Sequence, residues 1–358
     1  MHKFNLILVC ISLLCNIANS QQSGHWYKTF TGKMGHLNAV LHLTNSGGLN
    51  GYLWFRENQY PVRMAGEIKK DTITLESMSG FLVIELRGKF SMDSIFGTSS
   101  ISLFTSNSPP RKSSFKFFAD STSFTPFRVI SVHASAHLSP KLNNKSTFQS
   151  NESTIWPVEK NIFTNGIKNS IKKLFVVPEN EEIDSWLFQE VEKQKTNWVR
   201  KNSQLSPKSA EEIGLGLSVQ TFDQINVMYE NAKTLTLAKF SFAYTGGAHG
   251  NYSTSLINIF KSSGKVIHIS DVLTTEGIEK LPSLLELVAR VQFKADKGTL
   301  KDNGFFVDTI PVSNEFYITS RGIGFFYPPY ALRSYADGEI NLFIPSNVLT
   351  PYLKQGYK

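Results

Sequence analysis

From about residue 23 to residue 120 the chain is broken by turn residues roughly every ten positions, and nothing between the breaks is long enough for a stable helix. The segments 25–34, 37–44, 49–56, 62–68, 72–76, 81–90, 97–104 and 115–119 are apolar-rich or alternate apolar with polar. The breaks carry turn chemistry: Asn45-Ser46-Gly47-Gly48, Lys69-Lys70-Asp71, Ser79-Gly80 and Pro109-Pro110. Short strands in close succession pair with their sequence neighbours, so this region predicts an antiparallel meander, closed into a β-barrel or folded into a sandwich. Its Trp and Phe residues are read as core filling rather than the lining of a ligand cavity.

The pattern changes after residues 120–126, a Ser/Thr/Pro linker. A strand is expected over 127–136, then a mobile Ser/Asn/Lys-rich loop over 139–153. Ile162, Ile167, Ile171 and Leu174 share one face of a first helix. Ile183, Leu187, Val191 and Trp198 share one face of a second, with Asp184 as its cap. Strands return at 216–229 and 234–244, then at 254–260 and 266–269. A long helix over 276–296 follows, then a hairpin of 316–319 with 323–327, a strand over 339–344 and a short terminal helix. This part reads as α+β, an antiparallel sheet with packed helices.

The first 20 residues form a leader: Lys3, an apolar run from Leu6 to Leu14, and Ala18-Asn19-Ser20 before Gln21. Cleavage there predicts an exported protein, periplasmic or extracellular. The apolar run is too short to span a bilayer, and no later segment is suited to it, so no transmembrane segment is expected in the mature chain. A lipoprotein attached at Cys15 is the alternative, but Leu14 is larger than the residue that normally precedes a lipidated cysteine. Cys10 and Cys15 are the only cysteines. The mature chain therefore has none, which excludes disulfides, thiolate metal sites and cysteine nucleophiles.

Lys and Arg number 37 against 29 Asp and Glu, a net charge of +8, or +7 once Lys3 is removed. Residues 21–120 hold 11 basic and 7 acidic groups, and no basic stripe with interleaved aromatics stands out as a nucleic-acid site.

No HExxH, GxSxG, P-loop or GxGxxG string is present. His133 and His137 are four apart in a strand-like run, which places both on one strand face rather than around a metal. No metal and no cofactor is expected.

Two strings are unusual. Tyr244-Thr245-Gly246-Gly247-Ala248-His249-Gly250-Asn251-Tyr252 packs three glycines between two strands. Such a turn demands backbone conformations that side chains forbid, and it presents His249 either as a functional group or as a turn imidazole bonded to backbone. The second string runs from Phe325 through Tyr327-Pro328-Pro329-Tyr330 to Tyr335-Ala336-Asp337-Gly338. It is an aromatic strand end entering a proline-fixed loop, suited either to recognition or to packing. Both strings should follow strands of one sheet and lie near each other.

These strings, with Ser263-Gly264-Lys265, Ser270-Asp271-Val272-Leu273 and Ile344-Pro345, resemble the RsiV-like, PdaC-type envelope domains of bacteria, a domain of unknown function. The resemblance covers about 240–350. It implies a division into an all-β domain (21–120), a companion α+β region (126–240) and a C-terminal α+β region (241–358). It also implies a non-catalytic binding module of the cell envelope, directed at a lysozyme-like protein or a peptidoglycan-type glycan. A cell-wall glycan-acting enzyme, with His249 and Asp337 sharing a cleft, and an accessory subunit of an envelope assembly are the alternatives. The candidate binding residues are Tyr244, His249, Asn251, Tyr252, Tyr327, Tyr330 and Tyr335. The candidate structural glycines are Gly246, Gly247, Gly250 and Gly338. The chain departs from the family at Ala331-Leu332-Arg333, where an acidic step is usual, and at Ser346, where a tyrosine is usual. Lysozymes are often basic, so a net positive chain is poorly matched to one.

Overall fold

The computed structural model describes residues 24–78, 82–103, 108–138 and 147–357. The leader with its two cysteines lies outside the described residues, as does 139–146 of the expected loop.

Eight strands close into an antiparallel barrel: β1 (Trp26–Met34), β2 (Leu37–Asn45), β3 (Leu49–Phe55), β4 (Val62–Lys69), β5 (Thr72–Ser77), β6 (Leu82–Phe90), β7 (Ser94–Leu103) and β8 (Arg111–Ala119). Closure is made by β1 on β8, from Phe30 opposite Ala119 to Met34 opposite Phe115. Alternate residues point inward, and Phe30, Leu41, Leu53, Met64, Ile84 and Phe117 fill the interior. An apolar inside and a largely charged or polar outside reverse the pattern of a barrel that spans lipid.

The second sheet has the order β13-β12-β11-β10-β9. It comprises β9 (Phe127–His137), β10 (Thr147–Pro157), β11 (Val219–Glu230), β12 (Thr234–Tyr244) and β13 (Asn251–Phe260). Between β10 and β11 lie three helices, α1 (Ile162–Phe175), α2 (Ile183–Asn202) and α3 (Pro207–Ile213). They return the chain to its starting end, so β10 and β11 pair in parallel and the sheet is mixed, not wholly antiparallel as expected. The expected loop over 139–153 is also corrected. Residues 147–153 belong to β10, where Ser150, Glu152 and Thr154 are buried. Asn161 caps α1 by accepting from Thr164 N, which returns its hydroxyl to Asn161 N. Asp184 is not the cap of α2; Glu182 holds that position, and Asp184 in the first turn pairs with Arg128 of β9.

The expected strand over 266–269 is a single bridge, Ile259 with Val266, leading into the short helix α4 (Ile269–Val272). Thr274 caps α5 (Thr275–Phe293), which buries Leu281, Leu285 and Ala289. That face packs on a third sheet, β14 (Phe316–Thr319), β15 (Gly322–Tyr327) and β16 (Ile340–Pro345). A final helix, α6 (Ser346–Leu349), follows. Among the described residues no helix is long and apolar enough to cross a membrane.

The barrel docks through the outer wall of β2 and β3. Val40 and Trp54 pack on Tyr229, and Tyr52 packs with Met228, Ala238, Tyr317 and Phe326. The Gln59 side-chain oxygen accepts from Tyr229 Oη at 2.7 Å and from Ser320 N and Oγ at 2.9 Å, tying the barrel to both sheets. The buried Glu230 carboxylate accepts from Thr125 N and, at 2.6 Å, from Thr125 Oγ1, and it pairs with Lys261.

Candidate binding site

The two unusual strings meet although they hang from different sheets, so the expectation of one shared sheet is not met. The first links β12 to β13 and the second follows β15. At their junction the Tyr335 ring stacks on the His249 imidazole, with 4.0 Å between centroids and 26° between planes. Tyr330 lies 5.5 Å from Tyr335 and 6.3 Å from His249, and Tyr252 meets Tyr335 edge-on at 6.0 Å.

The hydrogen bonds assign the histidine tautomer. His249 Nδ1 lies 3.0 Å from Gly250 O, and Tyr335 Oη donates to the same carbonyl at 2.6 Å. A carbonyl oxygen only accepts, so Nδ1 carries the proton. In the neutral ring Nε2 then accepts from Tyr330 Oη, 3.3 Å away. Asp337 is engaged elsewhere, accepting from Ser334 Oγ at 2.7 Å and pairing with Arg333 at 3.4 Å.

Tyr330 has a left-handed backbone, φ 70°, which is costly for a bulky residue. Its side chain is 52% exposed. Pro328 and Pro329 fix the chain before it, so the loop holds an aromatic ring outward at the expense of local strain.

The glycines act in different ways. Gly246 has φ 90°, and a Cβ there would stand 2.5 Å from Gly216 O. Gly250 has no such φ, but a Cβ there would meet the Phe242 ring at 2.5 Å. Gly247 and Gly338 have φ 105° and 70°. Tyr244 Oη donates to Gly247 O at 3.1 Å, closing the turn on itself. Asn251 is exposed at the start of β13. Tyr327 lies apart from the cluster, buried in the C-terminal core with its hydroxyl on Pro311 O at 2.7 Å.

His133 and His137 occupy one face of β9, and His133 Nδ1 lies 2.7 Å from Asn151 Oδ1. Among the described residues no group of three or more His, Cys, Asp or Glu is placed to hold a metal ion.

A buried carboxylate pair escaped the sequence reading. Glu339 accepts from Thr254 Oγ1 at 2.9 Å, and Glu315 accepts from Leu256 N two residues along β13. Burial pushes the Glu339 carboxyl up to about 7; the Thr254 bonds and Arg63 of β4 pull it down, and Glu315 pushes it further up. Burial raises Glu315 as well. The one available signal was a glutamate next to Gly338 leading straight into an apolar strand.

Residues 270–347 match the family described as Protein of unknown function (DUF3298). This fits the domain-of-unknown-function resemblance carried by the two motifs. A crystal structure of a DUF3298 family member from Bacteroides fragilis is similar to 65% of the chain and 95% of its own, at 22% identity and a TM-score of 0.55. A DUF3298 family protein from Pseudomonas aeruginosa covers 65% and 96% at 15% identity, with a TM-score of 0.45. The first shares the fold. No curated protein matches the chain. The DUF3298 match contains Tyr327, Tyr330, Tyr335, Gly338 and Glu339, and ends short of the His249 turn on its N-terminal side.

Proposed function

We propose that the chain is an exported, non-catalytic binding module of the bacterial cell envelope, and that the ring cluster of Tyr252, His249, Tyr330 and Tyr335 is its recognition patch. The observation that carries this reading is Tyr330, a strained residue whose ring is held half in solvent above a stacked His–Tyr pair. Folding alone gains little from such a placement, whereas an exposed aromatic on a fixed backbone is a low-entropy contact for a ligand. The enzyme alternative is not favoured, because Asp337 bonds Ser334 and Arg333 while both His249 nitrogens have other partners. Of the two ligand classes, a peptidoglycan-type glycan suits the patch better than a lysozyme-like protein. Aromatic faces stack on sugar rings, and the positive chain repels a basic protein.

Co-sedimentation with purified insoluble peptidoglycan tests this. Residues 21–358 are expected to pellet with it, and Tyr330→Ala is expected to weaken binding roughly tenfold, as for an interface hot spot. A parent that stays in the supernatant, or a variant that pellets equally, counts against the patch.

A further inference from the structure

The barrel wall opposite the docked one carries a second surface. Closure in the order β1 to β8 sets β6 and β7 across the barrel from β2 and β3, which face the sheets. On this free wall the register lays one row across four strands. Lys89 of β6 stands opposite Phe96 of β7, Phe96 opposite Lys116 of β8, and Lys116 opposite Lys33 of β1. Phe118 lies two residues beyond Lys116 on the same outward face, with the Lys116 ammonium 5.0 Å from its ring centroid. All five side chains are exposed, Phe96 at 49% and Phe118 at 51%.

The row works against folding in two ways. Two large aromatics are left in water, and two lysines stand directly opposite each other, a cross-strand arrangement that destabilises a sheet. Lys89 has Asp71 at 2.7 Å, but among the described residues neither Lys33 nor Lys116 has a carboxylate within ion-pair distance. The uncompensated charge calls for an anionic partner. The wall is convex, the outside of a closed barrel, so it presents no groove for a polymer chain. Protruding rings flanked by lysines suit a flat, deformable surface that accepts apolar groups between negative headgroups.

We propose that the wall formed by β6, β7, β8 and β1 docks on an anionic lipid surface, with Phe96 and Phe118 entering the headgroup layer and Lys33, Lys89 and Lys116 lying against lipid phosphates. This is independent of the glycan patch, which hangs from the other two sheets.

The test is sedimentation of residues 21–358 with vesicles of phosphatidylcholine containing phosphatidylglycerol, against vesicles of phosphatidylcholine alone. Binding is expected only to the anionic vesicles and is expected to fall with salt. Lys116→Glu is expected to lower partitioning by about tenfold or more, given the value of each basic residue near such a surface. It should also raise the melting temperature, because it turns a like-charge pair with Lys33 into an attractive one. Phe96→Trp should fluoresce further to the blue with anionic vesicles. Absent vesicle binding, a Lys116→Glu variant that binds unchanged, or a Phe96→Trp emission that does not move would overturn the proposal. So would binding to soluble polyglutamate as strong as to vesicles, which would assign the wall to acidic polymers.

Discussion

Tyr335 and His249 lie ring on ring and share one acceptor, the carbonyl of Gly250. Tyr335 Oη and that carbonyl are 85 residues apart in the chain, and this contact brings the two motif loops into one patch. Tyr335 is therefore part of the patch's foundation, while Tyr330 is its outward ring.

That difference predicts opposite stability effects. Tyr335→Phe loses one hydrogen bond and should cost about 1 kcal/mol, with Tyr335→Ala costing more. Tyr330→Gly should melt at or above the parent, because glycine relieves φ 70° and the lost ring is half in water. Thermal denaturation of the three variants decides it; a Tyr330→Gly protein that melts well below the parent would place that ring in the core.

The neighbouring glycines are expected to differ. Gly246→Val meets both a positive φ and the Gly216 carbonyl, whereas nothing lies within 4 Å of a Cβ at Gly247. Gly246→Val should therefore lower stability by roughly 1–3 kcal/mol beyond the loss from Gly247→Val. Equal urea midpoints for the two would show that the close approach to Gly216 relaxes freely.

Glu339 sets a pH signature. Its folded carboxyl is raised from the ordinary 4.5 to about 7, chiefly by burial. In that window the folded chain holds a proton that the unfolded chain has released. The contribution is complete below about pH 4 and is lost as pH rises through 7. Glu339→Gln keeps an acceptor for Thr254 but cannot ionise, so it should shrink the fall in stability between pH 5 and pH 8 by roughly 1–3 kcal/mol. Parallel melting curves for parent and variant across that range would remove Glu339 as the cause. His42 acts in the opposite sense. Burial lowers it from 6.5 to about 3, so its contribution is present above 6.5 and is lost as pH falls toward 3.

The division of the chain near 120–126 remains a proposal with a direct test. Fragments 21–120 and 126–358 are expected each to fold, but to melt below the whole chain, because separation uncovers Val40, Tyr52 and Trp54 on one side and Met228, Tyr229 and Tyr317 on the other. Mixing them should recover part of the loss. Calorimetry in which both fragments melt at the parent's temperature would mean that the buried junction adds nothing.

The barrel was legible because each strand alternates and each turn is marked by Gly, Pro or charged residues; only the choice between barrel and sandwich stayed open. β10 was not legible. Its Gln-Ser-Asn-Glu-Ser-Thr run has loop composition, and it becomes a strand only because β9, β11 and α2 cover it. The parallel pairing of β10 with β11 is likewise a property of the helical crossover and not of either strand. In the site, the glycine turn and the proline–tyrosine loop stood out by composition alone. The role of Gly250 did not, since its constraint is the Phe242 ring beneath it and not its own φ.

Glu230 grips the connecting segment at Thr125, and Gln59 fastens the far side of the barrel to Tyr229 and Ser320. A segment held in this way is not a swivel. Whatever the convex wall rests against, the ring cluster is carried at one height and one tilt above it, as a stylus is carried by its arm. The chain is thereby built to gauge a distance between two layers as well as to touch each of them.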